Sequence, residues 1–286
     1  MQVRFGPAGN PDSFQLQGYK SSLDMPSWLK KMGLDAYEYQ CVRGVHIGED
    51  MARRLGERAA ENGVALSIHA PYYISLGTAD PALREKTKKH FFDSLRAAHW
   101  MGARTVVFHP GGGAKDRDGA KSRALVLLDE IVREAAEKGW SGIRIAPETA
   151  GKPAQLGNLE EVLEFCAAVG LEVVPAIDFG HLHAATQGGF DRPEAFEAVL
   201  DRLESFLGRE KLANLHIHFS PVEYTAGGEK RHWTTLEDFG PGFGPLAELL
   251  AKRKMSATVI CESAGRQAED ALIYKQMYES FLEDGR

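Results

Sequence analysis

The sequence predicts a single-domain (β/α)₈ barrel spanning residues 1–286. Two observations carry that expectation. Short β-rich runs alternate eight times with amphipathic stretches, and 286 residues is an ordinary length for such a barrel. Six consecutive predicted strands also end on or beside a His, Asp or Glu, and the C-terminal rim is where these barrels place their chemistry. Eight β-then-α units in this length suit a closed barrel better than an open doubly wound sheet.

The expected strands are 3–7 (VRFGP), 36–41 (AYEYQC), 66–70 (LSIHA), 105–109 (TVVFH), 143–148 (IRIAPE), 172–178 (EVVPAID), 213–219 (ANLHIHF) and 257–262 (ATVICE). Helices are expected near 26–32, 49–62, 81–101, 118–138, 158–168, 192–206, 242–253 and 268–282. The stretch LVLLDEIVREAAEKG at 125–139 shows their amphipathic spacing well. Pro81 and Asn158 stand where helices begin, and Gly63, Gly102, Gly139 and Gly170 where they end. The connection at 220–241 breaks the rhythm after the seventh strand. A long loop on that face is expected to be functional.

Composition narrows the classes. Hydrophobic residues make up 43% of the chain and charged residues 26%, as in ordinary globular proteins. No apolar run reaches the roughly 18–20 residues of a membrane span, and the first residues, MQVRFGPAGN, lack a secretion-signal pattern. The expected location is the cytoplasm, with no membrane and no obligate protein partner. Cys41, Cys166 and Cys261 include no closely spaced pair, so neither a disulfide framework nor a zinc ribbon is expected. The net charge of −6 argues mildly against general nucleic-acid binding, although bound divalent cations would change the local sign.

The metal-capable side chains converge. His69 closes the third strand, His109 the fourth, Glu148 the fifth and Asp178 the sixth, with His181 three residues on. His216 and His218 alternate in the seventh strand, and Glu262 closes the eighth. A lone His or carboxylate at a strand end is usually just a hydrogen-bonded structural group. Several buried together are costly without cations, so ligation becomes the simpler reading. Imidazole plus carboxylate without thiolate suits Zn²⁺, Mn²⁺ or Fe²⁺. His216 and His218 share one face of their strand, so one is expected as a ligand and the other behind it or against substrate.

These residues resemble the endonuclease IV family of apurinic/apyrimidinic endonucleases, within the xylose-isomerase-like barrels. The matching pieces are SIHAPY at 67–72, VFHPGG at 107–112, PETAGK at 147–152, DFGH at 178–181, HIH at 216–218, RH at 231–232 and CES at 261–263. The resemblance implies zinc-dependent hydrolysis of the DNA backbone at abasic sites. It implies Glu148 as the bridging, catalytic carboxylate, with His69 and His109 on one metal. Asp178, His216 and Glu262 would hold a second metal with Glu148, and His181 and His232 would belong to a third. Tyr72 matches a family position near the DNA.

Three departures accompany the match. The family's Asp-Arg-His after the seventh strand reads Lys230-Arg231-His232 here. That weakens or removes the third metal site unless the adjacent Glu229 takes over by a shift of the loop, or Lys230 supplies the positive charge itself. Ile217-His218 replaces an Asn-Asp pair, and the segment EYQCVRGVHIGED after the second strand lacks the family's tryptophan-bearing DNA wedge. Arg43 in that segment has two readings, phosphate contact or an exposed ion pair. His218, Tyr72, Arg43 and Lys230 are thus the expected substrate contacts, and two zinc ions the expected complement. The alternative is a metal-dependent sugar isomerase or epimerase of the same superfamily, taking a small sugar. Such enzymes use one divalent metal held by two Glu, one Asp and one His, a set that Glu148, Asp178, His216 and Glu262 supply.

Overall fold

A computed structural model of the chain describes residues 3–113 and 115–284. Its eight barrel strands are β1 (Val3–Pro7), β2 (Ala36–Gln40), β3 (Ala65–His69), β4 (Thr105–Phe108), β5 (Arg144–Pro147), β6 (Ala176–Asp178), β7 (Leu215–Phe219) and β10 (Ala257–Cys261). A hairpin, β8 (Val222–Thr225) and β9 (Gly228–His232), lies between the last two. The helices are α1 (Asp12–Leu16), α2 (Met25–Met32), α3 (Glu49–Asn62), α4 (Pro81–Met101), α5 (Arg117–Glu137), α6 (Leu159–Ala168), α7 (Phe179–Ala185), α8 (Pro193–Lys211), α9 (Gly244–Lys252) and α10 (Gln267–Asp284). None is long and apolar enough to cross a membrane.

The parallel ladders run in two arcs, β1-β10-β7-β6 and β2-β3-β4-β5. Single parallel bridges close them into a barrel, Ala8 with Glu38 on one seam and Glu148 with Ala176 on the other. The first seam is tight. A Cβ on Gly6 would lie 1.8 Å from the Ala36 carbonyl oxygen, so only glycine lets β1 approach β2 there.

The eight barrel strands and the helices that follow them stand where hydrophobic periodicity places them. Helix starts also follow local chemistry: Asp80 caps α4 through the Ala82 amide, and Asn158 forms a reciprocal capping box with Glu161 on α6. The sixth strand is shorter than expected. Pro175 has no N–H to give a ladder, and Val173 keeps only an isolated bridge to Ile145. The short helices α1 and α7 and the β8–β9 hairpin are additions to the expected elements.

Large apolar side chains fill the space between strands and helices. Phe219, Phe243 and Tyr274 pack as a chain of rings, 4.9 Å edge-on and then 4.5 Å stacked. Phe91 of α4 meets Phe108 of β4 edge-on at 4.6 Å. Such contacts add about 0.5–1.5 kcal/mol each beyond the area they bury. The inward face of the strands is different. It carries small apolar residues and a column of polar ones, including fully buried Glu38, Glu148, Asp178 and His218.

Candidate metal centre

Glu148 is the hub of the C-terminal rim. Its carboxylate is fully buried and has four imidazoles around it. His218 Nδ1 lies at 3.0 Å, His69 Nε2 at 3.1 Å, His181 Nδ1 at 3.3 Å and His109 Nδ1 at 3.5 Å. The strand ends bring them together. His69 ends β3, His109 follows β4, Glu148 follows β5, and in-register pairing sets Asp178 of β6 beside His218 of β7.

Backbone contacts orient these groups. His69 Nδ1 sits 2.9 Å from the Ala70 carbonyl oxygen. A carbonyl only accepts, so Nδ1 carries the proton and Nε2 faces Glu148. His181 Nδ1 donates to the Thr149 carbonyl in the same way at 2.9 Å, leaving Nε2 toward Glu229 Oε2 at 3.6 Å. Asp178 caps α7: its Oδ1 accepts the His181 amide at 2.7 Å.

Among the described residues, the buried atoms without hydrogen-bond partners include Asp178 Oδ2 and His109 Nδ1. Both belong to groups compact enough to share a cation. Glu148, Asp178, His218 and Glu262 present ligand atoms within 4.8 Å of one another, as do His109, Glu148 and His181, and His69, Glu148 and His218. Three carboxylates and this many imidazoles at such spacing, with orphaned donor atoms facing in, fit divalent cations held by N and O ligands. A cavity of about 540 Å³ opens above them, bordered by Tyr72, Lys152, Gly111 and Gly112.

The electrostatics follow from crowding. Burial favours the neutral acid at Glu148, but the surrounding His109, His218 and His181 outweigh it and hold the carboxylate well below its usual range. At Glu262 burial and the Glu148 charge push the acid up against the pull of His218. His69 resists burial because Glu148 bonds and attracts it, which lifts it to about 9. Burial dominates at His109 and lowers it to about 4.

The third group depends on a β-bulge. Tyr224 pairs with Glu229 and Glu223 with Arg231, so the hairpin register slips by one residue and Lys230 is the extra one. The slip turns Glu229 and His232 to the same side. Glu229 Oε1 lies 3.5 Å from His232 Nε2, and His181, Glu229 and His232 form a further compact group. His232 draws Glu229 down to about 2 against the opposing effect of burial. Ser220 Oγ lies 2.7 Å from His232 Nδ1. Gly151 makes room: a Cβ there would lie 2.7 Å from Glu229 Cβ.

Several expected roles change place. His216 is absent from the group of Asp178 and Glu262; its Nε2 contacts Glu38 at 2.9 Å deeper in the barrel. His218, expected against substrate, stands in that group instead. Lys230 faces neither metal cluster nor cavity. It pairs with Glu223 at 2.6 Å on the exposed side of the hairpin, because the bulge turns it outward. Arg43 is exposed after β2 and does not line the cavity. Tyr72 is 63% exposed at the mouth, its ring stacked 5.8 Å from His109. Glu38 is not singled out by the sequence reading, although its alternation with Tyr37 and Tyr39 in AYEYQ is the available signal. A larger cavity of about 750 Å³ opens between the N-terminal strand ends, and of these residues it touches only His216.

Fold and site together define a (β/α)₈ barrel with a clustered His/carboxylate centre at its C-terminal rim. The profile of the xylose isomerase-like TIM barrel family matches residues 26–283, and the chain belongs to that family. An uncharacterized protein of Methanocaldococcus jannaschii is 32% identical over 271 residues, covering 95% of each chain. Endonuclease 4 of Thermus thermophilus is 32% identical over 171 residues, 57% of this chain and 56% of that one. The match to this relative therefore spans little more than half its length. Among solved structures, endonuclease IV from Thermus thermophilus superposes with a TM-score of 0.71 at 21% identity, covering 99% of this chain and 100% of that one. A D-tagatose 3-epimerase-like protein superposes with a TM-score of 0.72 at 19% identity, covering 99% of each. These two likenesses establish the fold.

Proposed function

We propose that this chain is a metal-dependent phosphodiesterase of the endonuclease IV type, cutting the DNA backbone at abasic sites with zinc, or with Mn²⁺ or Fe²⁺. The observation that carries the reading is the group His181, Glu229 and His232. It supplies a third ligand set even though Lys230 stands where an aspartate is expected. The local identity to endonuclease 4 of Thermus thermophilus supports the same reading.

In this reading His69, His109 and Glu148 would hold one cation, and Glu148, Asp178, His218 and Glu262 a second. His181, Glu229 and His232 would hold a third. Bound cations would activate water and neutralise the phosphodiester charge. The chain's own groups do the rest. The carbonyls of Ala70 and Thr149 hold His69 and His181 in one tautomer. Tyr72 offers an exposed ring beside His109 for a base or sugar face, and Lys152 brings a positive charge to the cavity edge. The backbone at Gly111 and Gly112 borders the same cavity and leaves room for a phosphate oxygen.

A second reading has its own observation. Glu148, Asp178, His218 and Glu262 form a compact set of two Glu, one Asp and one His. That set suffices for a one-metal sugar isomerase or epimerase, with His69 and His109 binding substrate. The deciding experiment incubates the purified, zinc- or manganese-loaded protein with duplex DNA carrying one abasic site. A single incision at that site is expected. Intact DNA, together with turnover of a ketose, would move the assignment to the sugar reading.

A further inference from the structure

We propose that Glu38 is a positioning residue for the metal centre, acting through His218. The inference rests on the reading of the rim as a metal centre. Glu38 lies on β2, on the far side of β1 and β10 from β7, and is fully buried in the barrel. Its Oε2 accepts hydrogen bonds from Ser67 Oγ at 2.8 Å and His216 Nε2 at 2.9 Å. Its Oε1 accepts one from Gln40 Nε2 at 3.2 Å and lies 3.1 Å from His218 Nε2.

A carboxylate at this depth is expensive to bury, by several kcal/mol, and no Lys or Arg among the described residues pairs with it. An apolar residue would fill a barrel interior at lower cost. What Glu38 touches accounts for it. His218 turns one nitrogen to each side: Nδ1 lies 3.0 Å from Glu148 and 3.4 Å from Glu262, whereas Nε2 faces Glu38. That Nε2 is buried and has no hydrogen-bond partner among the described residues; the Glu38 carboxylate stands beside it at ion-pair distance. A neutral imidazole carries its proton on either nitrogen, and the neighbour of the non-ligating one decides which. A carboxylate beside Nε2 keeps the proton there and leaves the Nδ1 lone pair to the rim. Carboxylate–histidine–metal arrangements of this kind raise ligand basicity and fix the ring. Ser67 and His216 in turn fix the carboxylate, so His216 supports the rim at one remove, through Glu38.

The test compares wild-type, Glu38→Gln, Glu38→Asp and Ser67→Ala proteins. Each is stripped of metal and titrated with Co²⁺, read by its visible absorption and by competition with a chelator. Circular dichroism of the metal-free proteins checks the fold. Glu38→Gln is expected to weaken Co²⁺ binding about 10–100-fold and to shift the absorption bands. Glu38→Asp, which keeps the charge, recovers some of the loss, and Ser67→Ala shows a smaller loss. A Glu38→Gln protein that binds Co²⁺ with wild-type affinity and bands overturns the positioning role while leaving the metal centre standing. Should Glu38→Gln not fold, Ser67→Ala carries the test, and wild-type binding by that variant overturns the proposal. A wild-type protein that binds no Co²⁺ overturns both.

Discussion

Glu229 reaches His181 across the rim, Oε2 to Nε2 at 3.6 Å, from the strand whose next residue, Lys230, points the other way to Glu223. Lys230 is the bulged residue, so the carboxylate in the centre and the lysine outside it are adjacent in the chain. The two neighbours should therefore behave oppositely. Glu229→Ala is expected to lose about one metal per chain, and Lys230→Ala to retain full metal content and turnover within about twofold, as exposed substitutions usually do. Elemental analysis after gel filtration checks both. Metal loss in Lys230→Ala would overturn the placement of the bulge.

Glu148 touches four imidazoles, so its removal disturbs every site at once. Glu148→Gln should lower turnover by well over the roughly 10–100-fold typical of residues that only support ligands. Its metal content should fall too. Kinetics beside elemental analysis decide the matter, and near-wild-type turnover would reject Glu148 as the bridge.

Metal uptake should depend on pH. In the metal-free protein Glu148 lifts His69 to about 9 against the effect of burial. A cation needs the Nε2 lone pair and so displaces that proton. Affinity therefore weakens as pH falls below about 9, by roughly tenfold per pH unit for each proton released. His109, lowered to about 4 by burial, is neutral through this range and adds no slope. Zinc titrations at several pH values check the sign, and a flat profile between roughly pH 6 and 8 would contradict the linkage.

The seam between β1 and β2 admits no side chain at Gly6. Gly6→Ala sets a methyl against the Ala36 carbonyl at 1.8 Å, where backbone must move. The expected loss of stability is at or above the ~1–3 kcal/mol usual for overpacking. Denaturant unfolding measures it, and an unchanged midpoint would refute the tight seam.

Cys41, Cys166 and Cys261 are all free and buried. Burial pushes each thiol up to about 12, which suppresses the reactive thiolate. A thiol reagent at neutral pH should find none in the folded protein and all three in denaturant. Rapid labelling of the native chain would show that one is accessible.

Much of this protein is legible in one dimension. Alternating β-rich and 3.6-period stretches locate the eight barrel strands, and strand ends name His69, His109, Glu148, Asp178 and Glu262 as convergent groups. Side-chain parity also puts His216 and His218 on one inward face. Parity gives direction but not depth. Depth comes from register between neighbouring strands: Asp178 stands opposite His218, and Ala176 opposite His216. That pairing sends His218 to the rim and His216 down to Glu38.

The hairpin adds the second lesson. In a regular strand Glu229 and His232 would face opposite ways, and Lys230 would share a face with His232. A one-residue slip against β8 reverses this, in a hairpin that packs over Gly151 and α7. The sequence by itself determined the barrel, its rim and the kinds of ligand gathered there. Only the tertiary structure decided which of two histidines and which of two adjacent charged residues enters the centre, because both choices depend on strand register, a relation between segments distant in the chain.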